Sequence, residues 1–68
     1  MNATVNGEAR ALPAGATVAN VLELLDVAGE TRGVAVAVDG EVVPRSRWGA
    51  TAVHDGAAIE VVAAIGGG

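Results

Sequence analysis

Three dipeptides, Asn6-Gly7, Asp39-Gly40 and Asp55-Gly56, mark tight turns that separate short strand-like runs, with one helical stretch between the first two. A two-residue hairpin turn of type I′ needs positive φ at both central residues, which Asn or Asp followed by Gly supplies at least cost. Ala3-Thr4-Val5 and the run from Glu8 to Leu12 flank the first turn and read as paired strands. Pro13-Ala14-Gly15 ends the second of them. Thr17 stands at a helix N-cap position. Val18, Val21, Leu22 and Leu25 follow at helical spacing and predict one apolar stripe. Gly29 marks the helix end, before a polar loop running to Gly33.

Beyond that loop, Val34-Ala35-Val36-Ala37-Val38 alternates large and small side chains. This predicts a strand buried on both faces, with its small face under or beside the helix. After Asp39-Gly40, Glu41-Val42-Val43 reads as a short return strand. Pro44 confines it to an edge, because proline cannot donate to a ladder. Arg45 to His54 reads as a loop with a turn of helix. Ala57 to Ile65 is the last strand, with Ile59, Val61, Ala63 and Ile65 on one face and Glu60 on the other. The order β-β-α-β-β-β predicts an α+β fold: a mixed sheet of four to five strands with one helix packed across it. Pairing of the last strand beside the first would make it central and leave it firmly held.

The bulk composition narrows the function. Sixty-eight residues make one domain, of a size that buries only about 60% of its unfolded surface. Cysteine is absent, so neither disulfides nor thiolate metal sites can contribute. The net charge is −4, and arginine is the only basic type apart from a single histidine. That argues against nucleic acid, where Lys and Arg neutralise phosphates, and against an anionic membrane surface. No apolar run approaches the ~20 residues of a membrane span. Met1-Asn2-Ala3-Thr4 lacks the pattern of a secretory signal, so the expected location is the cytoplasm.

The final residues, Gly66-Gly67-Gly68, follow the strand-like run directly. Residues without a Cβ make a poor structural element, and many chain ends simply fray. Yet such a thin tail reaches roughly 10 Å when extended, and its carboxylate can enter a channel that side chains would block. The chain therefore divides into a domain over 1–65 and a flexible glycine tail over 66–68.

The remaining polar residues suggest little chemistry of their own. His54 has only Asp55 beside it and reads as a surface residue, since a metal site wants three or four convergent ligands. Trp48, the single aromatic, suits either a partner contact or a cover for the open edge of a small core. Arg45 and Arg47 read either as docking cations or as solvated loop charges. The scattered carboxylates Glu8, Glu23, Asp26, Glu30, Glu41 and Glu60 show no spacing that demands acid–base catalysis. The glycine tail cannot be a phosphate loop, because no helix follows it.

The full length resembles the thiamine-biosynthesis sulfur carriers of the ThiS family, which have the ubiquitin-like β-grasp fold. The resemblance is carried by Asn6-Gly7-Glu8, by Leu12-Pro13-Ala14-Gly15-Ala16-Thr17-Val18, and by Val34 to Val38 leading into Asp39-Gly40-Glu41-Val42-Val43-Pro44-Arg45. Asp55-Gly56 and the ending Ile65-Gly66-Gly67-Gly68 complete it. Asp39 stands where the commoner family form has Asn; both tolerate the turn. The resemblance implies a protein cosubstrate, not an enzyme, with no cofactor bound. A ThiF-like adenylyltransferase would use MgATP to adenylate the Gly68 carboxylate. A cysteine-persulfide sulfur donor would convert it to a thiocarboxylate, and a ThiG-like thiazole synthase would take the sulfur into the thiamine thiazole ring. Gly66, Gly67, Ile65, Arg45 and Trp48 would contact these partners. Three other readings remain at this stage: a carrier like the small subunit of molybdopterin synthase, a ubiquitin-like modifier, and a plain interaction module.

Overall fold

The computed structural model describes residues 1–25 and 33–63. Strands β1 (Asn2–Val5) and β2 (Glu8–Ala11) form the first hairpin, helix α1 spans Val18–Leu24, and β3 (Val34–Val38) and β4 (Glu41–Val43) form the second hairpin. A 3₁₀ helix occupies Arg45–Ala50, and β5 covers Ala58–Ala63. Ala64 and Ile65, expected to continue that strand, lie outside the described residues, as do Gly29 and the three terminal glycines.

The sheet has five strands in the order β2-β1-β5-β3-β4. The last strand is thus central, the position that pairing beside the first strand gives it. It runs parallel to β1, with Thr4 opposite Ala58 and Val5 opposite Ile59. It runs antiparallel to β3, from Val38 opposite Ile59 to Val34 opposite Ala63. Both hairpin turns form where expected. Asn6 and Gly7 take φ of 52° and 84°, and Asp39 and Gly40 take 51° and 84°.

Thr17 caps α1. Its hydroxyl accepts from the Asn20 N–H at 3.2 Å, and the Asn20 amide oxygen accepts from the Thr17 N–H at 2.9 Å, a reciprocal capping box. Val18 N–H finds the Thr51 carbonyl at 3.0 Å, and Val53 N–H donates to Ala16 at 2.8 Å. These bonds satisfy polar groups at the helix start and tie it to the segment leading into β5. Val18, Val21 and Leu22 share one core cluster with Val36 and Ile59, and these five are the largest fully buried side chains among the described residues.

One expectation about β3 is reversed. Its valine face, not its alanine face, meets the helix: Val36 is 1% exposed, while Ala35 lies exposed on the opposite surface. The physical reason is that one short helix covers only one face of the sheet. The large side chains fill the covered side, and the small ones line the side facing water. The helical turn expected after Arg45 is realised as six residues of 3₁₀ helix. It seats Trp48 in the core, 6% exposed, with the indole Nε1–H donating to the Val43 carbonyl at 2.9 Å.

Val36→Ala should lower stability by on the order of 1–3 kcal/mol, the range of buried large-to-small changes. Urea unfolding followed by Trp48 fluorescence measures this directly, and a shift within error would contradict the packing of β3 under α1.

Candidate functional site

The features that bear on function gather around β5, because that strand leads in sequence to the terminal glycines. Of the residues expected to act, Gly66, Gly67, Gly68 and Ile65 lie outside the described residues. Arg45 opens the 3₁₀ helix and is exposed. Trp48 takes the core role of its two expected ones. The sequence alone could not choose, because the choice depends on the Val43 carbonyl that receives its N–H.

The uncovered face of the sheet carries two of the exposed large apolar side chains among the described residues. Val42 is 74% exposed and Val62 is 62% exposed. With Ala35, Ala37 and Glu60 they surround a shallow depression of about 220 Å³. Glu60 lies on this face, opposite Ile59, as strand parity predicts. Small alanines at the floor and valines at the rim make a surface that is apolar and accessible beside the C-terminal half of β5. Arg47 is exposed and lines a separate groove with Glu41, Val43, Pro44 and Thr51.

The turn residues do more than turn. Asp55 Oδ1 accepts from the Asn2 N–H at 2.7 Å, and Gly56 N–H donates to the Asn2 carbonyl at 2.7 Å. Asp39 N–H donates to the Ala58 carbonyl at 2.8 Å, and Asp39 Oδ1 accepts from the Ala58 N–H at 3.0 Å. Asn6 grips the same strand farther along, through both backbone groups of Val61. Sequence reasoning found these positions as turns and missed their side-chain roles, which rest on strands that are distant in sequence.

His54 is a surface residue, as expected, but it is engaged. Its Nε2 contacts Asp39 Oδ2 at 2.5 Å, and its Nδ1 lies 2.9 Å from the Asp55 carbonyl. Both neighbours are acceptors while Asp39 is ionised, so the form that satisfies both nitrogens is the imidazolium. The Asp39 hydrogen bond foremost, then the Asp55 carbonyl, raises the His54 pKa above its ordinary 6.5. The Ala58 N–H foremost, then His54, lowers Asp39 below its ordinary 3.8. The His54 contribution is therefore complete below about 6.5 and fades as pH rises through its raised value. The Asp39 contribution is complete above about 3.8 and fades as pH falls through its lowered value. The pair works best between the two, and its exposure to water keeps the effect small.

These observations define a small ubiquitin-like β-grasp domain whose central strand leads to a diglycine-type ending. The ThiS family model matches residues 3–68, and the chain belongs to the ThiS family. The crystal structure of a thiamine biosynthesis protein (ThiS) from Geobacter metallireducens superposes with a TM-score of 0.81 at 38% identity, covering 100% of both chains. The NMR solution structure of a thiamine biosynthesis protein from that organism gives 0.79 at 38% identity, covering 100% of this chain and 88% of the other. A thiazole synthase of Paramagnetospirillum magneticum is 44% identical over 68 residues, 100% of this chain. The chain spans 20% of that protein's length.

NMR titration should place the His54 pKa above 6.5 in the native protein. Asp39→Asn should bring it down, because an amide can donate to a neutral Nε2 while Nδ1–H still serves Asp55. An unchanged titration in the variant would exclude the Asp39 contact as the cause.

Proposed function

We propose that this chain is the sulfur carrier of thiamine thiazole synthesis, a protein cosubstrate and not a catalyst. What most supports this reading is a ThiS family match that runs through Gly68. The similarity to part of a thiazole synthase supports a thiazole synthase as the protein that consumes the sulfur.

A carboxylate is a poor electrophile because its negative charge repels nucleophiles and it has no leaving group. In the proposed cycle a ThiF-like adenylyltransferase joins the Gly68 carboxylate to the AMP moiety of MgATP and releases pyrophosphate. The terminal sulfur of a cysteine persulfide attacks the acyl-adenylate and displaces AMP. A thiol then cleaves the resulting S–S bond, is itself oxidised to a disulfide, and leaves the thiocarboxylate on Gly68. Glycine favours each step: no side chain obstructs the approach to the carbonyl, and the tail conforms to the partner's channel. Holding the reacting atoms at about 3 Å is the partner's contribution.

Recognition in this scheme belongs to Ile65, Gly66 and Gly67 near the reacting end and to Arg45 on the domain. The exposed Val42 and Val62 beside Glu60 offer an apolar docking face of the kind that marks interaction sites.

Removal of Gly68, or Gly67→Val, should leave the melting temperature within error of the parent and abolish activation. The assay is intact-mass and fragmentation analysis after incubation with the adenylyltransferase, MgATP and a persulfide source. Fragmentation must locate the oxygen-for-sulfur exchange at Gly68, since oxidation of Met1 adds nearly the same mass. Adenylation without sulfuration would favour a protein modifier instead, and an untouched Gly68 would leave a plain interaction module.

A further inference from the structure

We infer that Asn6 is a positioning residue for the reacting end of the chain: its side-chain amide completes the sheet beside β5 after β1 has turned away. This rests on the carrier reading above.

The ladder between β1 and β5 shows why an amide is needed. Thr4 N–H donates to the Ala57 carbonyl at 2.9 Å, and Asn6 N–H donates to the Ile59 carbonyl at 2.8 Å. Backbone groups alternate sides along a strand, so those of Val61 point toward β1 just as those of Ile59 do. At Asn6, however, φ becomes 52° and the chain reverses into β2. No backbone of β1 remains to meet Val61. The Asn6 side chain takes that place. Its Oδ1 accepts from the Val61 N–H at 2.9 Å, and its Nδ2 donates to the Val61 carbonyl at 3.2 Å. One planar amide thus supplies the acceptor and the donor that a longer β1 would have supplied from its backbone.

The position of this clamp gives it a function. Val61 is seven residues before Gly68 in the sequence. Val62, the next residue, carries part of the exposed apolar face. On the other side, β3 pairs with β5 as far as Ala63. Without Asn6, the end of β5 would be held from one side only. A looser root spreads the terminal carboxylate over more positions, and the partner would have to remove that freedom to reach a reactive geometry. Asp39 makes the matching contact at the start of β5. There its own N–H serves the Ala58 carbonyl, so its side chain needs only to accept. Asn6 must both donate and accept, which a carboxylate cannot do.

The test variant is Asn6→Gly in the full chain, since glycine keeps the positive φ of the turn while removing the side-chain amide. Thr17→Ala, which weakens the helix cap away from β5, controls for general destabilisation. Backbone amide exchange reads the clamp, and pyrophosphate release with the adenylyltransferase and MgATP reads its use. In Asn6→Gly the Val61 amide should exchange at least about tenfold faster while the Thr4 amide stays protected. The kcat for activation should fall about tenfold, with KM for the carrier changed by less than about twofold. Thr17→Ala should leave both kinetic constants near the parent values. Unchanged exchange at Val61 would overturn the clamp. Faster exchange with an unchanged kcat, or an equal kcat loss in Thr17→Ala, would overturn its positioning role. If the parent protein is never adenylated, the carrier reading fails and the positioning role with it, while exchange at Val61 still decides whether the clamp exists.

Discussion

The whole structure depends on the C-terminal strand pairing with two partners that arrive from opposite ends of the chain. β5 lies between β1 and β3, parallel to one and antiparallel to the other. Neither hairpin could form this sheet alone, because each leaves an edge of unpaired backbone groups and an apolar face uncovered. Inserting β5 joins them and places Ile59 beneath Val18, Val21 and Leu22, which makes the two hairpins and the helix share one core. The same insertion fixes the strand that precedes the terminal glycines. In the carrier role proposed above, that strand would be the held root of the reacting end.

The polar contacts around β5 follow a rule of matched chemistry. Asn6 meets a donor and an acceptor on Val61, and an amide offers both. Asp39 meets two N–H donors, from Ala58 and from the His54 ring, and a carboxylate accepts both. Asp55 meets the N–H of Asn2 and also accepts. Each residue was placed first by the need for a turn, and its side chain then serves the neighbouring strand. Local turn chemistry and long-range pairing agree at these positions, a consistency that favours a single native arrangement.

Much of the fold was legible because its signals are local. Asn6-Gly7 and Asp39-Gly40 announced their hairpins, Thr17 its cap, and the spacing of Val18, Val21 and Leu22 the buried stripe of α1. The burial of β3 was misjudged, because alternating Val and Ala fits either a strand covered on both sides or one with a bare alanine face. Only the number of covering layers distinguishes these, and that number is a tertiary fact. His54 was legible as exposed but not as a partner of Asp39, fifteen residues away. The family was legible in the Asp39-to-Arg45 block and the terminal glycines, and the match over residues 3–68 agrees.

The sequence by itself determined the element order and the turn positions, since each depends on residue type and near neighbours. The tertiary structure decided which strand is central, which face of the sheet stays open, and whether Trp48 is seated inside or left on the surface. It also decided that a turn asparagine stands in for missing backbone beside Val61. These outcomes depend on which unsatisfied hydrogen-bonding groups and apolar faces meet across the sheet. Segments up to 55 residues apart supply the two halves of each contact, so no local pattern encodes them.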